Sequence, residues 1–562
     1  MSLIPRPPPA PTPPPQVVSL LVNNDAPDAS EISIVEDYIS SRERHFTLWK
    51  TSHIDSLPPD SSRFIEEHDN ATRSLHELNR RGGPTIVVMQ GPFDRMPPAI
   101  AQLIRERDRL DELIRKYRSI LSPVRRLPVE LISKILRLVP PRTFGPSPYE
   151  QEYPPWRLTR ISSRWRACAV GDPSLWTKVS IHGDVLPRNF QHIFPLAMLR
   201  VQLALSKGAP LDIHFNWRYF DEADAHLLAL MDIAIDHCCR WNRLVLEGDV
   251  NIPSYFSALS RIKSRLPRLR RLEAYLDINW FNLPRPGGVG INFFADAPAL
   301  REVILAKPRL GSSNNAHRGS VGLSVPWEQV TKYRARLDVD AHLGILRRAQ
   351  GLRECGLLFL NNLNIVHGEH IQLLALHRLH VEDSTFLDIL TTPSVAELIV
   401  NGTVESVLPF LHRSTAQLTS LTLIDWEPSL KLLPILRSCP ALTHLCIAVA
   451  PDIQKADVDV LVSVLQALED ADLCPGLTSV FWHDETEPKT MSGVYVDYQD
   501  ALHALVKARR KGKLASLRVF LDSANWNDPR VQRFQSAQYE GFDVRVLGRF
   551  DTPSFLETVN PP

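Results

Sequence analysis

Leu418-Thr419-Ser420-Leu421-Thr422-Leu423 and Leu442-Thr443-His444-Leu445-Cys446-Ile447 are two copies of one phrase. Each reads Leu-x-x-Leu-x-apolar, and the last two apolar residues stand two apart, which is the period of a strand with one buried face. Between them, Leu432 to Ser438 reads as a helix, followed by Pro440. The phrase recurs at Leu269–Leu272, Leu300–Val303, Val330–Tyr333, Leu352–Cys355, Leu376–Leu379, Val395–Leu398, Leu477–Val480 and Leu514–Leu517. Each copy predicts one short strand. The segment before it, for example Val407 to Ser414, predicts a helix.

Successive copies start about 19 to 37 residues apart, the period range of leucine-rich repeats. A single copy cannot bury its apolar face, whereas about ten stacked copies can. The expected fold class is therefore α/β, with an irregular leucine-rich-repeat solenoid over residues 205–548 and a tail over 549–562. Parallel strands would line its concave face and helices its convex face. By alternation, Glu273, Tyr275, His380, Thr422, Phe481 and Arg518 point outward from the strands and mark the surface on which a protein substrate could be read.

The 562-residue chain carries 64 basic and 63 acidic side chains, for a net charge of +1. That balance argues against a surface built to grip nucleic acid. At 44% hydrophobic and 23% charged residues, wholesale disorder is excluded. Seven scattered cysteines read as reduced, mostly buried thiols rather than a disulfide scaffold. No apolar run is long enough to span a bilayer, so no membrane association is expected. Met1 to Pro15 is proline-rich without an apolar centre, unlike a signal peptide. Cytoplasmic or nuclear residence is the expectation.

Residues 1–30 read as a disordered proline-rich arm, and residues 31–96 as loosely ordered. Over 97–121, Ile100, Leu103, Leu110, Ile114, Tyr117 and Leu121 fall at heptad spacing, with Arg107 where another apolar residue would fit. This predicts an amphipathic helix that docks within the chain or forms a short coiled coil.

The next segment, 122–180, is the most specific. Leu127-Pro128-Val129-Glu130-Leu131-Ile132 opens a helix that runs to Val139 and is stopped by Pro140-Pro141. Leu131, Ile135 and Leu138 form one apolar stripe, and Ile132, Leu136 and Val139 the adjacent one. Two stripes cover too much circumference for one neighbour to bury. A second helix follows a proline-containing loop, with Leu158, Ile161, Trp165 and Cys168 on one face. Asp172-Pro173-Ser174-Leu175-Trp176 closes the unit.

Leu127-Pro128-x-Glu130-Leu131, then Ile135-Leu136, Ile161-x-x-x-Trp165-Arg166 and Pro173-x-Leu175-Trp176 resemble an F-box. The order of segments, with Tyr117 to Pro123 leading into the motif, is similar to the F-box proteins abundant in mushroom-forming fungi. The resemblance implies a three-helix module that binds a Skp-type adaptor and, through it, a cullin. The chain would then be the non-catalytic substrate-recognition subunit of an SCF-type ubiquitin ligase. Leu127, Pro128, Glu130, Leu131, Ile132, Ile135, Leu136, Ile161, Trp165, Leu175 and Trp176 carry the implied adaptor-binding role. The alternative is a non-catalytic repeat scaffold or inhibitor with the F-box as a structural cap.

Other signals point to no cofactor. His367-Gly368-Glu369-His370 lacks a third metal ligand, because His377 and His380 lie on a predicted strand. The adjacent Cys238 and Cys239 lack zinc-ligand spacing. Neither a Gly-x-x-x-x-Gly-Lys-Ser/Thr loop nor a Gly-x-Ser-x-Gly elbow occurs. Arg509-Arg510-Lys511-Gly512-Lys513 reads as a solvated cap at a helix end.

Overall fold

The computed structural model describes residues 12–23, 26–59, 61–66, 68–70, 97–139, 154–182, 193–217, 225–248, 253–276, 292–306, 324–360, 370–450, 455–470, 472–484, 495–509, 514, 516–521 and 543–547. The chain divides into two compact units. One comprises residues 1–145 with 149–176, and the other residues 146–148 with 177–562.

The first unit is helical. Its elements are α1 (Pro15–Asn23), α2 (Ala29–His53), α3 (Pro98–Ile120), α4 (Val129–Leu138), α5 (Pro154–Leu158) and α6 (Ser163–Gly171). The expected disordered arm and loosely ordered region are thus helical over α1 and α2. Local chemistry starts α2. Asp28 accepts from the Glu31 amide at 2.8 Å, and Glu31 accepts from the Asp28 amide at 2.9 Å, forming a reciprocal cap.

The first turns of α2 bring Val35, Tyr38 and Ile39 to Tyr117 and Ile120 at the end of α3, with Val17 and Leu20 of α1. Its last turn brings Trp49 to Ile100, Leu103, Ile104 and Leu110 at the other end of α3. The two helices therefore run antiparallel, and the heptad face of α3 is quenched inside the chain. Arg107 fits because Asp69 meets its guanidinium with two hydrogen bonds of 3.0 and 2.7 Å.

The second unit is mixed α/β. A sheet of 14 strands runs through it, and every pairing is parallel. The strands are β1 (Lys178–His182), β2 (Leu211–Trp217), β3 (Trp241–Gly248), β4 (Arg271–Leu276), β5 (Glu302–Ala306), β6 (Lys332–Leu337), β7 (Glu354–Phe359), β9 (Arg378–Val381), β11 (Glu397–Asn401), β12 (Ser420–Trp426), β13 (His444–Val449), β14 (Ser479–Asp484), β15 (Ser516–Leu521) and β16 (Asp543–Leu547). They pair in chain order. Between them, β8 (Ile371–Gln372) and β10 (Leu390–Thr391) form a small parallel pair of their own. Every one of the predicted phrases begins a strand. The sheet itself starts at Lys178, inside the expected 122–180 segment and ahead of the array expected from residue 205.

Chain-order pairing with right-handed crossovers puts the connecting segments on one face. On that face the register aligns Leu244, Leu272, Val303, Tyr333, Cys355, Leu379, Leu398, Leu421, Leu445 and Val480 as neighbours. All are buried. The Tyr333 hydroxyl hydrogen-bonds Nδ1 of His342 at 3.0 Å, tying this row to the following helix, α7 (Val339–Leu346). Gly248 is required by packing. A Cβ there would enter the indole ring of Trp217, its partner on β2.

Arginines tie successive connections together. Arg240 donates to the carbonyl of Ala209, and Arg413 to that of Leu390 at 3.1 Å. Arg509, at the end of α8 (Tyr495–Arg509), donates to the carbonyls of Leu468, Asp470 and Leu473. Arg509 is buried, so the solvated-cap reading does not hold for it. Residues 510–513 lie outside the described residues, as do 367–369 of the set-aside histidine cluster.

Candidate functional site

Two surfaces hold the residues singled out from sequence, one in each unit. On the helical unit, Pro128 occupies the position before α4 and Glu130 lies in its first turn. At 100° per residue, Leu138, Leu131, Ile135, Ile132, Leu136 and Val129 sweep half of the helix circumference. Within that arc the chain buries only the part at Ile132 and Leu136. Ile132 and Leu136 are 0% and 1% exposed and pack with Trp165 and Ala169 of α6, flanked by Leu127, Leu158, Cys168 and Leu175. Leu131, Ile135 and Leu138 are 47%, 37% and 71% exposed. Val129, at the other end of the arc beyond Leu136, is exposed as well, as are Pro128, Val124 and Ile161.

The expected adaptor-binding set is therefore split. Ile132, Leu136, Trp165 and Trp176 face inward and hold the helices together, so their side chains offer no contact surface. Leu127 and Leu175 are half-buried at the core margin. Leu131, Ile135, Ile161, Pro128 and Glu130 lie at the surface.

The second helix also departs from expectation. It breaks after Leu158, because the Ser162 hydroxyl accepts from the Trp165 amide at 3.2 Å and starts a new helix. That leaves Ile161 outside the helical face and exposed. Trp176 stacks edge-on against Trp156 and donates to the Ala169 carbonyl at 2.8 Å, locking the end of the unit. Arg137 of α4 reaches Asp172 at 2.7 Å across the same unit. Between these helices, Val129, Ser133, Arg137, Ala167, Cys168, Gly171, Asp172 and Pro173 line an open groove of about 500 Å³.

The second surface is the sheet face turned away from the connecting helices. The predicted outward residues fall on it in one line. Register runs from Glu273 through Ile304, Arg334, Gly356, His380, Ile399, Thr422, Cys446 and Phe481 to Arg518. Tyr275 lies two residues along β4 from Glu273.

Their accessibility differs from the expectation. Glu273, His380, Thr422 and Phe481 are buried. Parallel strands stand only about 4.8 Å apart, so neighbouring side chains on the middle line cover one another. Phe481 packs on Cys446. Glu273 is held by Arg243 at 2.5 Å, Arg271 at 2.6 Å and the Tyr275 hydroxyl at 3.0 Å. Burial alone would raise its pKa, but Arg243 and Arg271 hold it below the usual carboxylate value. Burial pushes His380 down to about 4, so its ring is neutral at pH 7. Its Nε2 is paired with Asn401 Oδ1 at 3.1 Å. The side chain of Arg518 lies outside the described residues.

Solvent instead meets the line at the strand starts, which alternation alone did not single out. There Arg271, Glu302, Lys332, Glu354, Arg378 and Glu397 are successive register partners with alternating charge. Arg271 pairs with Glu302 at 3.3 Å, Lys332 with Glu354 at 2.9 Å and Arg378 with Glu397 at 3.5 Å. The signal was present at the third residue of each of these phrases, but only register makes neighbours of charges so far apart in sequence.

A polar group on β1–β3 was also missed. Ser180 Oγ lies 3.3 Å from His214 Nδ1, and His214 Nε2 lies 3.1 Å from Glu247. His182 hydrogen-bonds the same Ser180 hydroxyl. These side chains satisfy one another across adjacent strands on a largely buried face. Among the described residues, no cluster of His, Cys, Asp or Glu has metal-holding geometry. All seven cysteines are free thiols, and Cys238 is buried while Cys239 is exposed. No helix among the described residues is long and apolar enough to cross a membrane. Comparison with family models and with curated proteins finds no match for this chain.

Proposed function

We propose that the chain is a substrate-recognition subunit of an SCF-type cullin ubiquitin ligase. In this reading, the helical unit is an F-box that docks a Skp-type adaptor. The second unit is an irregular leucine-rich-repeat array that holds a protein substrate. The ubiquitin-transfer chemistry belongs to the partners. This chain contributes by tethering a target lysine near the conjugating enzyme, which raises its effective concentration.

One observation carries the reading. Leu131, Ile135 and Leu138 stand exposed as a continuous stripe on a ten-residue helix whose adjacent stripe is already packed. Covering them with another polypeptide removes apolar area from water, worth about 1 kcal/mol for each half-exposed side chain. A helix that served only as a structural cap would gain nothing from leaving that stripe open.

The test is capture of a Skp-type adaptor by the full chain and by a Leu131→Glu/Ile135→Glu variant. The expected result is capture by the first, loss of at least 100-fold in affinity for the second, and unchanged thermal melting. Equal capture by both would overturn the role given to α4. Capture without ubiquitin transfer to any bound protein would favour the scaffold or inhibitor alternative.

A further inference from the structure

We infer that the partner covering the exposed stripe of α4 also covers α1, so that the adaptor-docking surface has two parts; this rests on the reading of the helical unit as an adaptor-binding module. The added part is the strip formed by Val18 and Val22, which are 44% and 78% exposed.

α1 reads Pro15-Gln16-Val17-Val18-Ser19-Leu20-Leu21-Val22-Asn23 and carries no charged side chain. At 100° per residue, Leu20, Val17, Leu21, Val18 and Val22 sweep about 200° of its circumference. The chain covers one side of that arc. Val17 and Leu20 are buried in the cluster that holds Tyr117 and Ile120 of α3, and Leu21 is half-buried against it. Val18 and Val22, one helical turn apart, are left out. A helix that is apolar over more than half its circumference is normally enclosed. One of this length also depends on tertiary cover to persist. α4 shows the same division between a packed part and an open stripe.

Two hydrogen bonds fasten the end of α1 to the helices around α4. Nη1 of Arg125 donates to the Leu20 carbonyl, in the last turn of α1, at 2.9 Å. The Arg125 carbonyl in turn accepts from Nη1 of Arg164, on α6, at 3.4 Å. Val124, next to Arg125, is 49% exposed. Pro128 follows Ile120 by eight residues, and a run of that length reaches at most about 28 Å. All of these residues belong to one compact unit.

The area a partner needs points to a single occupant. A stable protein–protein interface removes about 800 Å² from each side, a patch roughly 30 Å across. Leu131, Ile135 and Leu138 are three partly exposed aliphatic side chains and fill only part of that. Val18, Val22 and Val124 add apolar ground within the same width. A second copy of the chain could cover α1 but would leave the α4 stripe to a different partner, whereas one adaptor covers both.

The experiment measures binding of a purified Skp-type adaptor to the full chain by biolayer interferometry. It compares wild type with Val18→Asp/Val22→Asp, Val18→Leu/Val22→Leu and Leu131→Glu/Ile135→Glu. The aspartate pair should lower affinity about tenfold or more, as loss of a buried apolar contact does. The leucine pair should bind like wild type, and circular dichroism should be the same for all four. Hydrogen exchange on wild type gives a second readout without mutation: amides of α1 should slow when adaptor is added.

Unchanged affinity of the aspartate pair, or α1 amides that exchange equally fast with and without adaptor, would overturn the inference. So would a dimer of the adaptor-free chain, seen by sedimentation velocity, that the aspartate pair dissociates, because α1 would then belong to a second copy. If the aspartate pair disturbs folding, the exchange readout on wild type decides. Adaptor binding that depends on Leu131 and Ile135 but not on Val18 and Val22 would remove only the α1 contact. Absence of adaptor binding by wild type would remove the ligase reading and this inference with it.

Discussion

Nε of Arg137, in the last turn of α4, donates to Oδ2 of Asp172 at 2.7 Å, and the other oxygen of Asp172 accepts from the amide and hydroxyl of Ser174 at 3.1 and 2.7 Å. One buried carboxylate thus fastens the exposed-stripe helix to the turn that ends the helical unit. Burial pushes its pKa up, but the Ser174 and Arg137 hydrogen bonds outweigh that and hold it below the ordinary aspartate value.

Asp172→Ala should therefore cost about 2 kcal/mol, since three donors lose their acceptor. The sign of the pH dependence follows from the lowered pKa. The contribution is complete above the unfolded aspartate value of about 3.9 and is lost as pH falls through the lower folded value. Urea unfolding of wild type and variant at pH 7 and at about pH 2.5 checks this, with the difference between them shrinking at the lower pH.

Ile132→Ala and Leu136→Ala should each destabilise the helical unit by about 2–4 kcal/mol, because both side chains fill its core. Leu131→Ala and Leu138→Ala should change stability by less than about 1 kcal/mol. Amide hydrogen exchange along α4 reads the contrast. Equal protection loss for all four would show that the exposed stripe is packed in solution.

Gly248→Ala should lower the melting temperature by several degrees, because the new methyl and the Trp217 indole claim the same volume. Trp217 is fully buried and lies against Tyr255, so the ring has little room to yield. The compensating pair Gly248→Ala with Trp217→Leu should recover part of the loss in differential scanning calorimetry.

Arg509→Met keeps the aliphatic stem but removes the donors to three buried or half-buried carbonyls. The expected cost is about 2–3 kcal/mol. It should be accompanied by faster hydrogen exchange at the end of the helix Lys455–Glu469, where the Leu468 carbonyl lies.

His342 should make the second unit acid-labile. Its Nε2 pairs with the Leu358 carbonyl at 3.0 Å, so that nitrogen carries the hydrogen, while Nδ1 accepts from the Tyr333 hydroxyl. Burial pushes its pKa down to about 4. The unfolded state then binds more protons between about pH 6.5 and pH 4, and stability falls as pH falls through that window. His182 and His380 are pushed the same way. Thermal melting should drop from pH 7 to pH 5. His342→Leu should melt lower at pH 7 but lose less on acidification.

The strand positions were legible in the sequence because each phrase carries its own instruction. Leu421 and Leu423, Leu445 and Ile447, and Val480 and Trp482 recur at every second position, and that period survives any arrangement of the strands around them. Helices Val407–Ser414 and Leu432–Arg437 were legible for the same reason. The strands Lys178–His182 and Asp543–Leu547 at the ends of the sheet were not picked out, since their phrases lack the paired leucines. The helix Ala29–His53 was hidden too. Its buried Val35, Tyr38, Ile39 and Trp49 are separated by polar turns and gain their meaning only against α3.

Side-chain chemistry and spacing along the chain are enough to say which residues are apolar in strand or helix period, and hence that Leu131, Ile132, Ile135 and Leu136 share a broad greasy arc on one helix. Tertiary structure alone decided that Ile132 and Leu136 face Trp165 while Leu131 and Ile135 face outward, because burial is a property of the neighbour and not of the side chain. It also decided that Glu273 and His380 are covered while Arg271, Lys332 and Glu354 meet solvent. Register between strands brings charges from distant repeats within reach of one another, and no local pattern encodes that distance.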